Sequence, residues 1–551
     1  MRDKFFITTP IYYTNWVPHI WHAYSSLIAD SIVRYQKING KKTKFSTWVD
    51  ENSQKALIKA QELWMEIMPY LDLMASKHKS VWDWLKIEYT DFIRTTQDRH
   101  HKLVREVLQK SFDVWDIYSG NYEWMYCVWC EAFKKDDDLI EKEWKKVCRD
   151  HLVEPQKLKE KNYFFKLSKY QTWLEEFYEA NPSFVMPQDR FNEVIAFVKR
   201  WLDDFSISRE TNKFGIKLPF DEDQVTYVWY DALFNYVTVC RENDHWIDES
   251  DFWPADLHVV WKDIIRFHAI YWPAMLASSY NLWEEINWVL HYKKTDKSKL
   301  PQNILTTWFF TVDWLKISKS LWNVIDPVEF SQKYSRDLLS LYLLSSFNIG
   351  QDWDFSEKQA ILTYNAKLAN NFWNLVNRVV VLALKLDWVL HHNLDENYEI
   401  KMNFWDFNVL NIWWVEVNYN WFSKFFEEMH TEFEGLFNDY NLKWVLDLAF
   451  KVLDELNNYT TQKEPWQMIK DPVKLDETLI VLSTIAEWLR QIWMILYPFF
   501  PEKMAEMFEK IGLEWYKEIL ENGWLKDLVN KKEIFKIKEK WNPLFSRFDV
   551  E

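Results

Sequence analysis

The first fifty residues alternate between two hydrophobic periods. Lys4–Pro10 reads KFFITTP, a short apolar run rich in aromatic and β-branched residues, which predicts a buried strand. A loop over Ile11–Pro18 follows. From His22 to Ile38 apolar residues recur at spacings of three and four, the period of an amphipathic helix, and Asn39-Gly40 supplies its C-terminal cap. Lys44–Val49 is the next strand. Strand, helix and strand in that order predict a βαβ unit, hence a parallel sheet with ligands at the carboxyl ends of its strands. Helical spacing occupies about 53–113, a charge-dense stretch bearing cysteines about 116–155, and mixed strand and helix signals continue to about 275. Residues 293–299, KKTDKSK, read as an exposed basic loop. From about 356 onward, spacing of three and four dominates, as in Ala366–Leu384 and Leu446–Leu456, and predicts a separate helical bundle. The lysine-rich stretch 531–540 reads as a solvated face, and neither an internal repeat nor a low-complexity linker interrupts the pattern.

Length and charge narrow the class. A chain of 551 residues suggests three to four domains. Its 67 basic and 83 acidic side chains leave a net charge of −16, which argues against indiscriminate nucleic-acid binding but not against a local basic track. No uninterrupted run of ~18 apolar residues is present, so no membrane span is expected. The N-terminus, MRDKFFITTPIYYTN, turns polar at once and does not read as a secretory leader. Four cysteines suit a reducing compartment, and a cytoplasmic protein is expected.

One pair of counts is abnormal: 7 glycines against 36 tryptophans. Average usage of ~7% predicts ~39 glycines at this length, close to the two counts taken together. Seven tryptophans directly follow Asn or Asp: Trp16, Trp84, Trp288, Trp314, Trp353, Trp388 and Trp421. Asn-Gly and Asp-Gly are turn dipeptides, whereas an indole has no turn chemistry. The expectation is that most of these tryptophans are glycines in the living protein, through a UGA codon read as glycine.

Four motifs carry chemistry. Pro18-His19-Ile20-Trp21-His22 opens the first helix, and with glycine at 21 it reads PHIGH. A helix N-terminus with two imidazoles suits a nucleotide triphosphate, and a glycine would let an adenine ring approach the backbone. Lys316-Ile317-Ser318-Lys319-Ser320 lies between Asp313-Trp314 and Leu321-Trp322-Asn323. Its two lysines can neutralise charge developing on pyrophosphate. Cys127-x-x-Cys130 is followed after seventeen residues by Cys148-x-x-His151, the knuckle spacing of a closed, structural zinc site with three thiolates and one imidazole. Val228-Trp229-Tyr230-Asp231-Ala232-Leu233 and Trp261-Lys262-Asp263-Ile264-Ile265-Arg266-Phe267-His268 could form an apolar pocket or plain core. Cys240 stands alone and reads as core.

Together PIYYTNWVPHIWH, STWVDENSQK, DFIRTT, CVWCEAF, NYFFKLSKYQ, VTYVWYDAL, HVVWKDIIRFHAIYWPAML, KISKSLWN, LANNFWNLVNRV and EPWQMIKD resemble the methionyl-tRNA synthetase family of class I aminoacyl-tRNA synthetases, in order along essentially the whole chain. The family's glycines fall on Trp16, Trp21, Trp48, Trp261, Trp314, Trp322 and Trp373. At Trp229, Trp253, Trp272 and Trp466 the family itself resembles this chain in having tryptophan.

The resemblance implies an α/β fold. A Rossmann-type parallel-sheet catalytic domain would occupy 1–115 and 216–300, interrupted by a zinc-knuckle connective insertion over 116–215. Residues 301–355 would hold the KISKS loop and stem contacts, and 356–551 an all-α anticodon-binding bundle. It also implies roles. His19, His22, Lys316 and Lys319 would be catalytic, and with Trp21, Asp263 and Ser318 would bind ATP, Asp263 near the ribose. Ile11, Tyr13, Trp229, Ala232, Leu233, Tyr236, Ile264 and His268 would line a methionine pocket, with Asp50 pairing the substrate ammonium. Asn374, Arg378 and Trp466 would read the CAU anticodon, and Cys127, Cys130, Cys148 and His151 would hold Zn2+.

The implied partners are L-methionine, ATP with Mg2+, and tRNA(Met). Some relatives add a tRNA-binding, dimerising domain just beyond the point where this chain ends, so a monomer is expected. If the tryptophans are literal, an inactive tRNA-binding paralogue is the alternative. A leucine, isoleucine or valine enzyme is disfavoured, because those carry a larger editing insertion than the roughly 100 residues available here.

Overall fold

A computed structural model describes the chain except for residues 1–2, 128–131, 135–138, 143, 150–152, 211–213, 242–251, 309, 313–314, 317–323, 350–352, 387–388, 392–399, 403–414, 418, 514–515, 517–524, 530–533, 538–539 and 551. It divides into two compact units. One comprises Lys4–Ser25 and Lys44–Phe309, the other Met1–Asp3, Ser26–Thr43 and Phe310–Glu551.

The first unit is built on a seven-stranded sheet. Its strands are β1 (Lys4–Thr8), β2 (Tyr12–Tyr13), β3 (Lys42–Asp50), β4 (Asp91–Arg94), β5 (Val185–Met186), β6 (Leu257–Trp261) and β7 (Asn303–Thr307). Their order is β5-β7-β6-β1-β3-β2, with β4 also paired to β3. Parallel pairing sets Ile7 opposite Leu257, Val259 opposite Leu305, and Val49 opposite both Tyr12 and Arg94. Strands β1, β6 and β7 are buried along nearly their whole length, as expected where both faces of a sheet are covered. The chain leaves β1 toward β3 on one side, and β6 lies on the other. That reversal opens a crevice at the carboxyl ends of β1, β3 and β6. The basic loop 293–299 precedes β7 and so lies at the opposite, amino edge.

Helix α1 (Ile20–Ile38) follows β2, and α2 (Gln54–Glu62) and α3 (Ile67–Trp84) follow β3. The Ser53 side chain caps α2 by accepting from the Ala56 N–H. Helix α4 (Asp98–Asp113) buries His100, Leu103, Val104, Val107, Leu108 and Ser111, a stripe of helical period. The purely helical reading of 53–113 is corrected by β4, whose four residues are too short to register as a period. Between the sheet's two halves, Ile117–Cys127 pairs antiparallel with Gln156–Phe165, flanked by Ala132–Lys134 and Phe205–Ser206. Helices α5 (Val228–Leu233) and α6 (Trp272–Tyr280) return the chain to the main core.

In the second unit, helices α7 (Arg336–Ser345), α8 (Asn374–Leu386), α9 (Leu442–Lys463) and α10 (Leu475–Leu496) dominate. The expected all-α bundle is corrected here too. Val389–His391 pairs with Ile534–Lys536, and Ile400–Met402 with Val415–Val417, in strands too short for a periodic signal. Pro472–Leu496 is long and apolar enough to cross a membrane, with mean hydropathy 1.5, yet 89% of that window is buried inside the protein. The apolar run is interrupted by Glu487 and Arg490. Both are fully buried, and they pair with each other.

Among the described residues five tryptophans adopt the left-handed backbone: Trp64, Trp115, Trp144, Trp201 and Trp288. Trp64 N donates to Gln61 O and Met65 N to Ala60 O, closing α2. Trp115 and Asp116 close α4 in the same way onto Phe112 O and Ser111 O. Gly40 and Gly512 use the identical paired bonds, at φ 82° and 79°. Asn287 and Trp288, at φ 52° and 67°, form the two-residue turn between the paired residues Ile286 and Val289. Positive φ at both central positions is the turn that Asn-Gly specifies. All five indoles project into solvent, from 77% exposed at Trp115 to fully exposed at Trp144.

Candidate functional site

The crevice begins at the first turn of α1, where His22 N and Ala23 N both donate to His19 O. The rings of His19 and His22 stand 4.2 Å apart and nearly perpendicular. His19 N donates to His22 Nδ1 at 3.2 Å, and Trp21 N to His19 Nδ1 at 3.4 Å. Both Nδ1 atoms are therefore acceptors, so each neutral ring carries its proton on Nε2. Burial pushes the His19 imidazole down to about 4 and His22 well below its ordinary value, with the neighbouring His19 and His78 adding to the effect at His22. Two uncharged Nε2–H donors result. His78 of α3 joins them, 6.4 Å from His22, its Nδ1–H bonded to Met74 O at 2.9 Å and its pKa pushed down to about 4 by burial. Sequence reasoning missed His78, a lone imidazole on an apolar helix face.

Indoles crowd this corner. Trp21 stands edge-on to His19 at 5.5 Å, and Trp261, at the end of β6, lies 5.2 Å from His22 and 5.8 Å from Tyr12. Asp263 is exposed in the turn after β6. The backbone of Lys316 lies in a short strand, Leu315–Lys316, while its side chain, Ser318, Lys319, Trp314 and Trp322 fall outside the described residues.

Near the imidazoles lie several of the residues expected to line an amino-acid pocket. Ile11, Trp229, Ala232, Leu233, Tyr236 and Ile264 share one buried cluster. Trp229 lies flat on Phe267 at 3.7 Å. His268 Nδ1–H donates to Ile264 O at 3.0 Å, which leaves Nε2 to accept from the Tyr236 hydroxyl at 2.9 Å. Burial holds His268 at about 4, so the ring is neutral near pH 7. Tyr236 also meets Trp48 edge-on at 5.6 Å, and the Trp48 indole N–H donates to Thr9 O at 3.3 Å. Asp50 is fully buried at the end of β3, and accepts from Asn52 N at 3.2 Å. Tyr13 is half-buried, with the Lys55 ammonium 4.2 Å from its ring centre.

The remaining predicted residues lie elsewhere. In the second unit, Arg378 stands 5.7 Å from the Trp466 ring, with Asn374 exposed one turn earlier on α8. Cys127 ends the strand Ile117–Cys127 and Cys148 ends Lys145–Cys148, both buried. Cys148 N donates to Val153 O at 2.9 Å. Cys130 and His151 fall outside the described residues, and among the described ones no group of three or more metal-ligating side chains converges.

Comparison with known proteins gives one answer. Residues 5–380 match the family model described as tRNA synthetases class I (M). A methionine–tRNA ligase of Thermotoga maritima is 34% identical over 543 residues, 97% of this chain and 80% of that protein. One from Rickettsia conorii is 35% identical over 93% of this chain and 94% of its own length. The solved Mycobacterium tuberculosis methionyl-tRNA synthetase in complex with methionyl-adenylate superposes with a TM-score of 0.87 at 27% identity, covering 99% of this chain and 100% of that one. With residues 5–380 matching the family model and relatives 34–35% identical over most of their length, this chain belongs to the M-type class I tRNA synthetase family.

Proposed function

We propose that the chain is a methionine–tRNA ligase, which activates L-methionine with ATP and transfers it to tRNA(Met). The observation that carries this reading is a chain of contacts at the end of β3: His22 meets Tyr12 at 5.1 Å, Tyr12 and Tyr13 pair with Val49 and Asp50, and Tyr236, bonded to His268, meets Trp48 at 5.6 Å. A thioether suits an uncharged, polarizable pocket, and Asp50 pairs the ammonium. The methionine carboxylate attacks the ATP α-phosphorus in line, forming the acyl phosphate bond as pyrophosphate leaves. The two Nε2–H donors meet the α-phosphate oxygens, while Lys316 and Lys319 neutralise the leaving group. Mg2+ bound with ATP supplies further charge neutralisation. A ribose hydroxyl at the tRNA 3′ end then attacks the methionyl carbonyl, and AMP departs.

The finer roles belong to the same reading. Asp263 lies by the ribose and Ser318 by the phosphates. Arg378 and Trp466, already adjacent, stack and hydrogen-bond an unstacked anticodon base with Asn374. Cys127, Cys130, Cys148 and His151 hold zinc. The two described cysteines fit, each buried at the end of a strand, and four protein ligands would leave the metal structural.

The working form carries glycine at most tryptophan positions. The five left-handed, exposed tryptophans support this, above all Trp288 after Asn287 and the helix caps at Trp64 and Trp115. Trp16, Trp21, Trp48, Trp261 and Trp373 are not among the left-handed residues. At Trp21 and Trp261 the need is for space beside the imidazoles. An inactive tRNA-binding paralogue requires literal indoles in that corner.

The test is methionine-dependent exchange of pyrophosphate into ATP, run on the literal chain and on the form with glycine wherever the gene has UGA. Exchange by the glycine form, and not with leucine, isoleucine or valine, is the expected result. UGG at Trp21 and Trp261, with tRNA binding but no exchange, would establish the paralogue instead.

A further inference from the structure

At the end of β3 the side-chain amide of Asn52 joins three segments far apart in sequence. Its Nδ2 donates to Thr95 O at 3.3 Å and to Asp231 Oδ2 at 3.1 Å, while its backbone N–H donates to Asp50 Oδ1 at 3.2 Å. The Thr95 hydroxyl accepts from Glu51 N at 2.9 Å and reaches toward Asp50 Oδ1 at 3.5 Å. Asp50, Thr95 and Asp231 are fully buried and Asn52 nearly so. Both partners of Nδ2 are acceptors, so the amide can face them in only one orientation.

Asp231 lies on α5, the helix that carries Trp229, Ala232 and Leu233. Asp50 lies on β3. Apolar contacts tolerate sliding, whereas a hydrogen bond to a buried carboxylate sets a length and a direction. We propose that Asn52 is a positioning residue that fixes the separation between the ammonium site at Asp50 and the side-chain pocket on α5. This rests on the methionine-binding reading of those two places. A ligand that spans both ends feels the separation, and a ligand that engages one end does not.

The experiment uses the glycine-bearing enzyme with Asn52→Ala, with Asn52→Asp, which sets a carboxylate against the acceptors Thr95 O and Asp231, and with Asp231→Asn, whose amide oxygen still accepts from Asn52. The readouts are KM for methionine, KM for ATP, kcat of pyrophosphate exchange, and inhibition by 4-(methylthio)butanoate, which has the thioether but no ammonium. Asn52→Ala is expected to raise KM for methionine about tenfold. KM for ATP and inhibition by the deaminated analogue should stay within about twofold, and Asp231→Asn, which keeps the hydrogen bond, should stay near the unsubstituted enzyme. Parallel weakening of methionine and the analogue, or a loss in Asp231→Asn equal to that in Asn52→Ala, would overturn the proposal. If Asn52→Ala does not fold, Asn52→Asp against Asp231→Asn decides it by the same contrast. An unsubstituted enzyme without methionine-dependent exchange would instead sink the functional reading beneath it.

Discussion

The hydroxyl of Tyr236 donates to Nε2 of His268 across 32 residues of sequence, 2.9 Å apart and sealed from solvent. Because Ile264 O takes the Nδ1 proton, His268 can only accept from Tyr236, and the pair stays uncharged. Tyr236→Phe removes that donor and leaves a buried imidazole nitrogen unsatisfied. The expected cost is roughly 1–3 kcal/mol in unfolding free energy, with a rise in KM for methionine and little change in KM for ATP. Denaturant titration and exchange kinetics on the same protein check both.

Buried imidazoles also set an acid limit. His78 and His268 titrate near 6.5 in the unfolded chain but at about 4 when folded, since burial opposes their charging. Between those values the unfolded state binds more protons. Their contribution to stability is therefore full above pH 6.5 and falls as pH drops toward 4, by on the order of 3 kcal/mol per group. Urea midpoints measured from pH 4 to 8, compared with His78→Gln, should show a shallower acid decline in the variant.

The left-handed tryptophans should be liabilities of the literal chain. Trp64→Gly, Trp115→Gly and Trp288→Gly lose little packed surface and relieve a conformation that costs side-chain-bearing residues about 1 kcal/mol each. Each exchange should raise the melting temperature. Trp272, fully buried in the core, should behave oppositely and lose roughly 3–5 kcal/mol on truncation. Thermal unfolding of the four single variants separates the two groups, and a destabilising Trp288→Gly would count against glycine at that turn.

Trp466→Ala should weaken aminoacylation while sparing activation. Stacking of a base on an aromatic ring is worth about 1–3 kcal/mol, so KM for tRNA should rise about fivefold or more. Pyrophosphate exchange without tRNA should be unchanged. A matching loss in exchange would mean that Trp466 is only a packing residue.

Much of the architecture was legible from local pattern. Lys4–Pro10 and Lys44–Val49 read as strands and became β1 and β3; the helix of period three and four between them is α1, with Gly40 at its cap. The His19–His22 motif was legible because a helix start is written by neighbouring residues. The excess of tryptophan over glycine pointed to turn positions, and Trp288 after Asn287 occupies one.

The rest was decided by tertiary structure. Hydrophobic period reports which face of an element is buried, and is silent about which buried groups meet. No spacing rule places Asn52 beside Asp231, 179 residues away, or brings His78 of α3 to the imidazoles of α1. Nor does one lay Phe267 flat on Trp229. The strand β4 and the three-residue pairs of the second unit are shorter than any period and exist only because a neighbour completes their hydrogen bonds. Composition and period determine the layers. The neutrality of the pocket and the state of its imidazoles arise when folding removes water from side chains that sequence keeps apart.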